Sequence, residues 1–149
     1  MNVSISLLNH DPQTVEFNEL LKRNEKTIIY FYPKDNTSWC TIEAKDFSDE
    51  YITFLKNGIW IYGISKDTDG SHCNFISKNN LSIPLISDPE FTLHKKFGAR
   101  GEKNMYGKIV QWTMRSTFLL DQKGEIVKEW KNVKAAGHVE KLIKELELK

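Results

Sequence analysis

The chain has 149 residues, 40% of them hydrophobic and 28% charged, and its 21 basic and 20 acidic side chains leave a net charge of +1. That is about one domain's worth of globular protein, expected to span residues 1–149, and a near-neutral balance without blocks of like charge argues against nucleic-acid or membrane-surface binding driven by bulk charge. Two cysteines, a start (MNVSISLLNHD) without a basic and apolar leader, and no apolar run near the ~20 residues of a membrane span predict a cytoplasmic chain carrying thiols.

VSISLL (3–8) alternates weakly and predicts an edge strand. VEFNELLKRN (15–24) places Phe17, Leu20 and Leu21 on one helical face. TIIYFY (27–32) is β-branched and aromatic with no charge, the signature of a strand buried on both faces. From Thr41 to Lys56 the spacing turns helical, with Phe47, Tyr51, Phe54 and Leu55 on one side, and Asn57-Gly58 supplies the stop. IWIYGI (59–64) predicts a second buried strand, SHCNFISKN (71–79) a helix opened by Ser71, IPLIS (83–87) a short strand and EFTLHKKF (90–97) a short helix. The polar stretch from Gly98 to Gln111 is the longest predicted irregular region. STFLLD (116–121) and IVKEW (126–130) form a hairpin around Gly124, and HVEKLIKELELK carries Val139, Leu142, Ile143 and Leu146 at helical spacing. Alternating strands and helices followed by an antiparallel pair predict a three-layer α/β sandwich, a central mixed β-sheet flanked by helices.

In FYPKDNTSWCTIEAKDF (31–47) a lone cysteine follows a strand and enters a helix. Cys40 then lies in the first helical turn, where unpaired backbone N–H groups and the positive end of the helix dipole favour an anionic sulfur. Ligands of open α/β sheets gather at the carboxyl ends of strands, where this loop lies. A small buried hydrophobe is the alternative fate of such a cysteine. Pro33 stiffens the strand exit. Thr37, three residues before Cys40, is placed either to reach the thiol or to cap the helix.

Pro33, Thr37 and Cys40 make the spacing P-x-x-x-T-x-x-C, which resembles the active-site signature of peroxiredoxins, and FYPKDNTSWCTIEA is similar to the bacterioferritin-comigratory (PrxQ-like) branch. IYGISKDTDGSHCNF, LISDPE, YGK followed by RSTFLLDQKGEI, and VKAAGHVEKLIKEL resemble that branch in the same order, so the likeness runs from about Thr27 to the end; against the branch, the usual leading segment with Ala-Pro before the first strand reads as missing or much shortened. The resemblance implies a thioredoxin-like fold and a peroxidase that reduces hydrogen peroxide and organic hydroperoxides, needs no cofactor or metal, and is often monomeric. Cys40 matches the peroxidatic cysteine, whose thiolate takes one peroxide oxygen and becomes a sulfenic acid. Arg115 matches the active-site arginine, whose fork can hold sulfur and peroxide together. Thr37 would hydrogen-bond the peroxide, the N–H groups near Trp39 and Cys40 would complete the cradle, and Glu43 matches a glutamate that orients the arginine. Without the motif, Arg115 reads as a surface charge and Glu43 as a complement to the helix dipole. The four histidines, His10, His72, His94 and His138, show no metal-ligand spacing, and no nucleotide-binding motif occurs.

Many relatives carry a resolving cysteine five residues after the first, where this chain has Lys45; others place it on the helix of residues 71–79, where this chain has Ile76. Cys73 lies one turn earlier on that helix and is a candidate if both helix ends unfold locally. Two cycles stay open: resolution by Cys73 with a thioredoxin-like reductant, or direct attack by an external thiol in a one-cysteine cycle, which is preferred because Cys73 occupies neither familiar position. A thioredoxin-like oxidoreductase is disfavoured because Glu43 stands where its second cysteine would be, and a non-catalytic peroxide sensor is the remaining rival. Trp39 stands where the branch commonly has glycine, and either narrows the pocket mouth or shapes a contact surface. The whole reading requires a sulfur reachable from solvent with the Arg115 side chain beside it.

Overall fold

The computed structural model describes residues 3–9 and 11–148, so His10 and Lys149 lie outside the described residues. A seven-stranded sheet forms the middle layer. Its strands are β1 (Ser4–Asn9), β2 (Asp11–Glu16), β3 (Lys26–Phe31), β4 (Ile59–Ser65), β5 (Leu85–Ser87), β8 (Ser116–Leu120) and β9 (Ile126–Trp130). They lie in the order β2-β1-β5-β4-β3-β8-β9. Strands β3, β4 and β5 run parallel, and β1, β2, β8 and β9 add antiparallel pairs at the two sides, so the sheet is mixed as expected.

The uncharged run of β3 has its cause in this order. The strand is central, and Ile28, Tyr30 and Tyr32 face one apolar cluster while Ile29 and Phe31 face the other. The first cluster lies under α2 (Ser38–Lys56), α3 (Asp69–Asn79) and α5 (His138–Glu145); the second lies under α1 (Phe17–Lys22) and α4 (Thr92–Phe97). Helix α2 buries Ala44, Phe47 and Phe54, and truncating such a phenylalanine to alanine typically costs about 3–5 kcal/mol. Gly58, at φ +77, takes the left-handed conformation that ends α2 and turns the chain into β4. Among the described residues no helix is long and apolar enough to cross a membrane.

Five expectations need correction. VSISLL is not an edge strand: β1 sits between β5 and β2, and the edge is β2, formed by Asp11–Glu16, where a helix was expected to begin. Only Phe17–Lys22 is helical there; Val15 pairs with Ile5, so cross-strand pairing overrides the helical period at its start. Helix α2 begins at Ser38 rather than Thr41, and α3 at Asp69 rather than Ser71, with the Thr68 side chain accepting from the Ser71 N–H at 3.2 Å. The stretch from Gly98 to Gln111 is not irregular. It holds a separate hairpin, β6 (Arg100–Met105) and β7 (Lys108–Thr113), turning at Tyr106-Gly107, whose φ angles are both positive. Lysine, glutamate and asparagine on its exposed faces hide the alternation that would reveal it.

Candidate active site

Antiparallel pairing brings the two halves of the site together. Phe31, the last residue of β3, pairs with Ser116, the first of β8, so the loop leaving β3 toward α2 meets the residue entering β8, Arg115. The Val133 N–H donates to the Arg115 carbonyl at 2.9 Å and fixes the backbone from the other side.

Cys40 is the third residue of α2, in its first turn. Arg115 Nη2 donates to Cys40 Sγ at 3.2 Å, while Nη1 donates to Glu43 Oε1 at 2.5 Å. Residues 72 and 75 positions apart in sequence thus meet through one planar guanidinium, whose fixed fork matches two acceptors at once. The sulfur is enclosed, with Cys40 only 1% exposed and the Arg115 side chain 14% exposed. The expected arginine is beside the sulfur, but the expected opening to solvent is nearly shut.

Glu43 is fully buried, and Oε2 has no hydrogen-bond partner among the described residues. Burial pushes its carboxyl up to about 7, against the pull of the Arg115 guanidinium. Burial opposes the charge on Arg115, yet Glu43 and Cys40 outweigh it and raise the guanidinium above its ordinary value. An arginine in this setting stays cationic. Behind the site Tyr30 stacks on Phe47 with ring centroids 4.4 Å apart. Its hydroxyl is buried without a hydrogen-bond partner among the described residues, and burial followed by the charges of Glu43, Cys40 and Asp35 holds it well above the usual phenol range.

Thr37 occupies the N-cap position of α2 without making the side-chain cap. Its hydroxyl instead donates to the Lys34 carbonyl at 2.9 Å, closing the loop on itself. The first N–H groups of α2 are therefore not taken up by Thr37. Pro33, half-buried, begins this loop directly after Tyr32. Trp39 is 60% exposed and lines an apolar hollow of about 220 Å³ with Lys134, Ala135 and Ala136. Lys45 is exposed. Cys73, on α3, packs against the same apolar cluster that contains Cys40, and neither sulfur is in a disulfide.

Spacing along the chain concealed a buried polar network that holds the Cys40 loop. Asp35 accepts from the Tyr32 hydroxyl at 2.6 Å and from the Ser71 hydroxyl at 2.8 Å, and its Oδ2 lies 2.7 Å from His72 Nδ1. The Asp35 N–H donates to Asp67 Oδ2 at 2.7 Å. Asp35, Asp67 and His72 bring one ligand-type atom each within 4.8 Å of one another. Those atoms are committed to these hydrogen bonds and, for His72 Nε2, to a contact of 3.1 Å with the Ile86 carbonyl oxygen. The other two described histidines are likewise built in. His94 lies 2.6 Å from Asp88 and 2.9 Å from the Thr113 hydroxyl. His138 Nε2 lies 2.7 Å from the Thr117 hydroxyl, and burial, then Lys141 and Arg115, lower its pKa to about 4, so its ring is neutral at pH 7.

Known proteins resemble the chain over most of its length. A model of the AhpC/TSA family matches residues 2–129. Peroxiredoxin Bcp of Xanthomonas campestris is 46% identical over 116 residues, spanning 78% of this chain and 72% of that protein. Peroxiredoxin Bcp of Bacillus subtilis is 40% identical over 119 residues, 80% of this chain and 76% of its own. A solved structure of the X. campestris bacterioferritin comigratory protein, from work on its alkyl peroxide reduction activity, matches with a TM-score of 0.87 at 38% identity, covering 97% of this chain and 90% of that one. The chain therefore belongs to the AhpC/TSA family and, within it, to the bacterioferritin-comigratory branch of the peroxiredoxins.

Proposed function

We propose that the chain is a thiol peroxidase in which Cys40 is the sulfur that reacts with peroxide. The thiolate attacks the nearer oxygen of a hydroperoxide, the O–O bond breaks, and the leaving oxygen takes a proton: Cys40–S⁻ + ROOH + H⁺ gives Cys40–SOH + ROH. Negative charge spreads over both oxygens in that transition state, so preorganised donors lower the barrier. Arg115 supplies such a donor with a full positive charge, Glu43 positions it, and the uncapped N–H groups of α2 lie on the same side. Thr37 and Pro33 shape the loop, with the Thr37 hydroxyl free to accept from the protonated peroxide oxygen while donating to Lys34. The single observation that carries this reading is the guanidinium shared between Cys40 Sγ, at 3.2 Å, and Glu43 Oε1, at 2.5 Å.

The enclosure of the sulfur sets a condition. Hydrogen peroxide and small organic hydroperoxides are admitted by small shifts of the loop and the guanidinium, whereas attack on the sulfenic acid by another thiol needs the first turn of α2 to open. For the return half of the cycle we favour an external thiol over Cys73. Lys45 removes the one-helix disulfide, and the buried Asp35 network holds the start of α3, which carries Cys73, in place.

The test is peroxide consumption by wild type, Cys40→Ser and Cys73→Ser, with thioredoxin or a small thiol as reductant. Cys40→Ser should be inactive and Cys73→Ser active with the small thiol. Retained turnover in Cys40→Ser would overturn the assignment of the sulfur. Mass measurement after one equivalent of peroxide separates the two cycles: added oxygen on Cys40 supports the external thiol, and loss of two hydrogens supports a disulfide with Cys73.

A further inference from the structure

The loop between β9 and α5 carries a feature that the peroxide step does not use. Lys131, Lys134 and Lys141 line an open cleft of about 380 Å³ together with His138, and no acidic side chain lines it. None of the three lysines is in an ion pair among the described residues. In a chain of net charge +1 this is a local field, not a share of a global one. The cleft adjoins a second hollow. Lys134 and Ala136 line both it and the apolar hollow formed with Trp39, the residue next to Cys40. The same loop is bound to the catalytic strand through the hydrogen bond from the Val133 N–H to the Arg115 carbonyl.

From this juxtaposition we propose that the Trp39 hollow and the lysine cleft form the docking site for the reductant, a low-molecular-weight thiol that carries at least one carboxylate. The inference rests on the assignment of Cys40 as the peroxide-reacting sulfur. The carboxylate sits among Lys131, Lys134 and Lys141, the carbon chain lies on Trp39 and Ala135, and the sulfur is delivered to residue 40 when the first turn of α2 opens. Attack by the thiolate on the sulfenic acid gives Cys40–S–S–R and water. A second thiol then displaces Cys40 and leaves with the first as R–S–S–R, so two thiols supply the two electrons that the peroxide removed. A peroxide needs no such grip, since the groups that act on its oxygens are all beside the sulfur. A thiol entering a mixed disulfide must hold its non-reacting end somewhere, and this is the adjoining surface with both apolar and cationic character.

The experiment oxidises the protein with one equivalent of hydrogen peroxide and follows sulfenic acid loss by stopped-flow fluorescence. Three thiols of similar size are compared at equal thiolate concentration: 3-mercaptopropionate, 2-mercaptoethanol and cysteamine. The anionic thiol should react about tenfold faster than the cationic one at low salt, a typical gain from local electrostatic steering. The ratio should shrink in about 0.5 M salt, where screening is short-ranged. In Lys131→Gln/Lys134→Gln/Lys141→Gln it should fall about fivefold, leaving what Arg115 contributes. The peroxide step is measured in the same samples. A normal peroxide step with no charge preference among the thiols, or with a preference that survives the triple substitution, overturns the docking site alone. Failure of the wild-type peroxide step would overturn the assignment of Cys40 instead. A triple variant slowed only toward a carboxylate-bearing hydroperoxide would hand the cleft to the oxidising substrate and also overturn the proposal.

Discussion

Replacing Glu43 by glutamine separates the stability of the buried pair from its use. In the folded chain the Glu43 carboxyl is raised from 4.5 to about 7. Its stabilising contribution is complete below the unfolded value and is lost as pH rises through the folded one, a loss of about 3 kcal/mol at 1.36 kcal/mol per unit. His138 runs the other way. Its pKa falls from 6.5 to about 4, so the folded state loses a similar amount, about 3 kcal/mol, as pH falls through that window. The two slopes nearly cancel in the wild type between pH 4.5 and 6.5. In Glu43→Gln only the His138 slope remains. Urea denaturation at a series of pH values should therefore show the variant gaining about 3 kcal/mol relative to wild type between pH 4.5 and pH 8. Any pH-independent cost of exchanging the carboxyl for an amide shifts the whole curve and leaves this difference intact. Oxidation of Cys40, followed through the neighbouring Trp39, should slow about 10- to 100-fold, the worth of one charge-assisted hydrogen bond that holds the guanidinium. Parallel stability curves for the two proteins, or an unslowed oxidation step, would refute the reasoning.

Arg115→Lys keeps a positive charge but loses the fork that spans Cys40 and Glu43; the peroxide step should slow by about 10²-fold in stopped-flow measurements, and a rate near wild type would show that charge alone suffices. Gly63→Ala would place a Cβ 2.7 Å from the Tyr30 hydroxyl and 2.8 Å from Leu85 Cδ2, in the centre of the core. Such overpacking should cost about 1–3 kcal/mol, read as a lowered Tm, and an unchanged Tm would mean that Tyr30 and Leu85 yield freely.

What was legible in the sequence was whatever local chemistry dictates. The uncharged run of β3 announced a strand covered on both faces, and the order of elements announced a mixed sheet. The motif around Cys40 placed the thiol at a helix start, and the resemblance supplied its distant partners Arg115 and Glu43. What stayed hidden depends on pairing across the fold. Val15 reads as helix until its partner Ile5 is known. The polar residues of β6 and β7 read as loop because neither face of that hairpin is deeply covered. His72, His94 and His138 looked scattered because each meets its partner through tertiary contact, as His72 does with Asp35, 37 residues away. The enclosure of Cys40 was equally invisible, since it is set by packing rather than by neighbours in the chain.

The carboxylate of Asp35 reaches across from the Cys40 loop to Ser71 and His72 at the beginning of α3. Two segments far apart in sequence are thereby knotted into one cooperative opening unit. Backbone amides at residues 35–41 and 69–73 should exchange with deuterium at a common rate, and Asp35→Asn should quicken both segments together while leaving the amides of β4 protected. The chain would then have a single latch governing when its most reactive atom meets the outside world, set within the fold rather than at its rim.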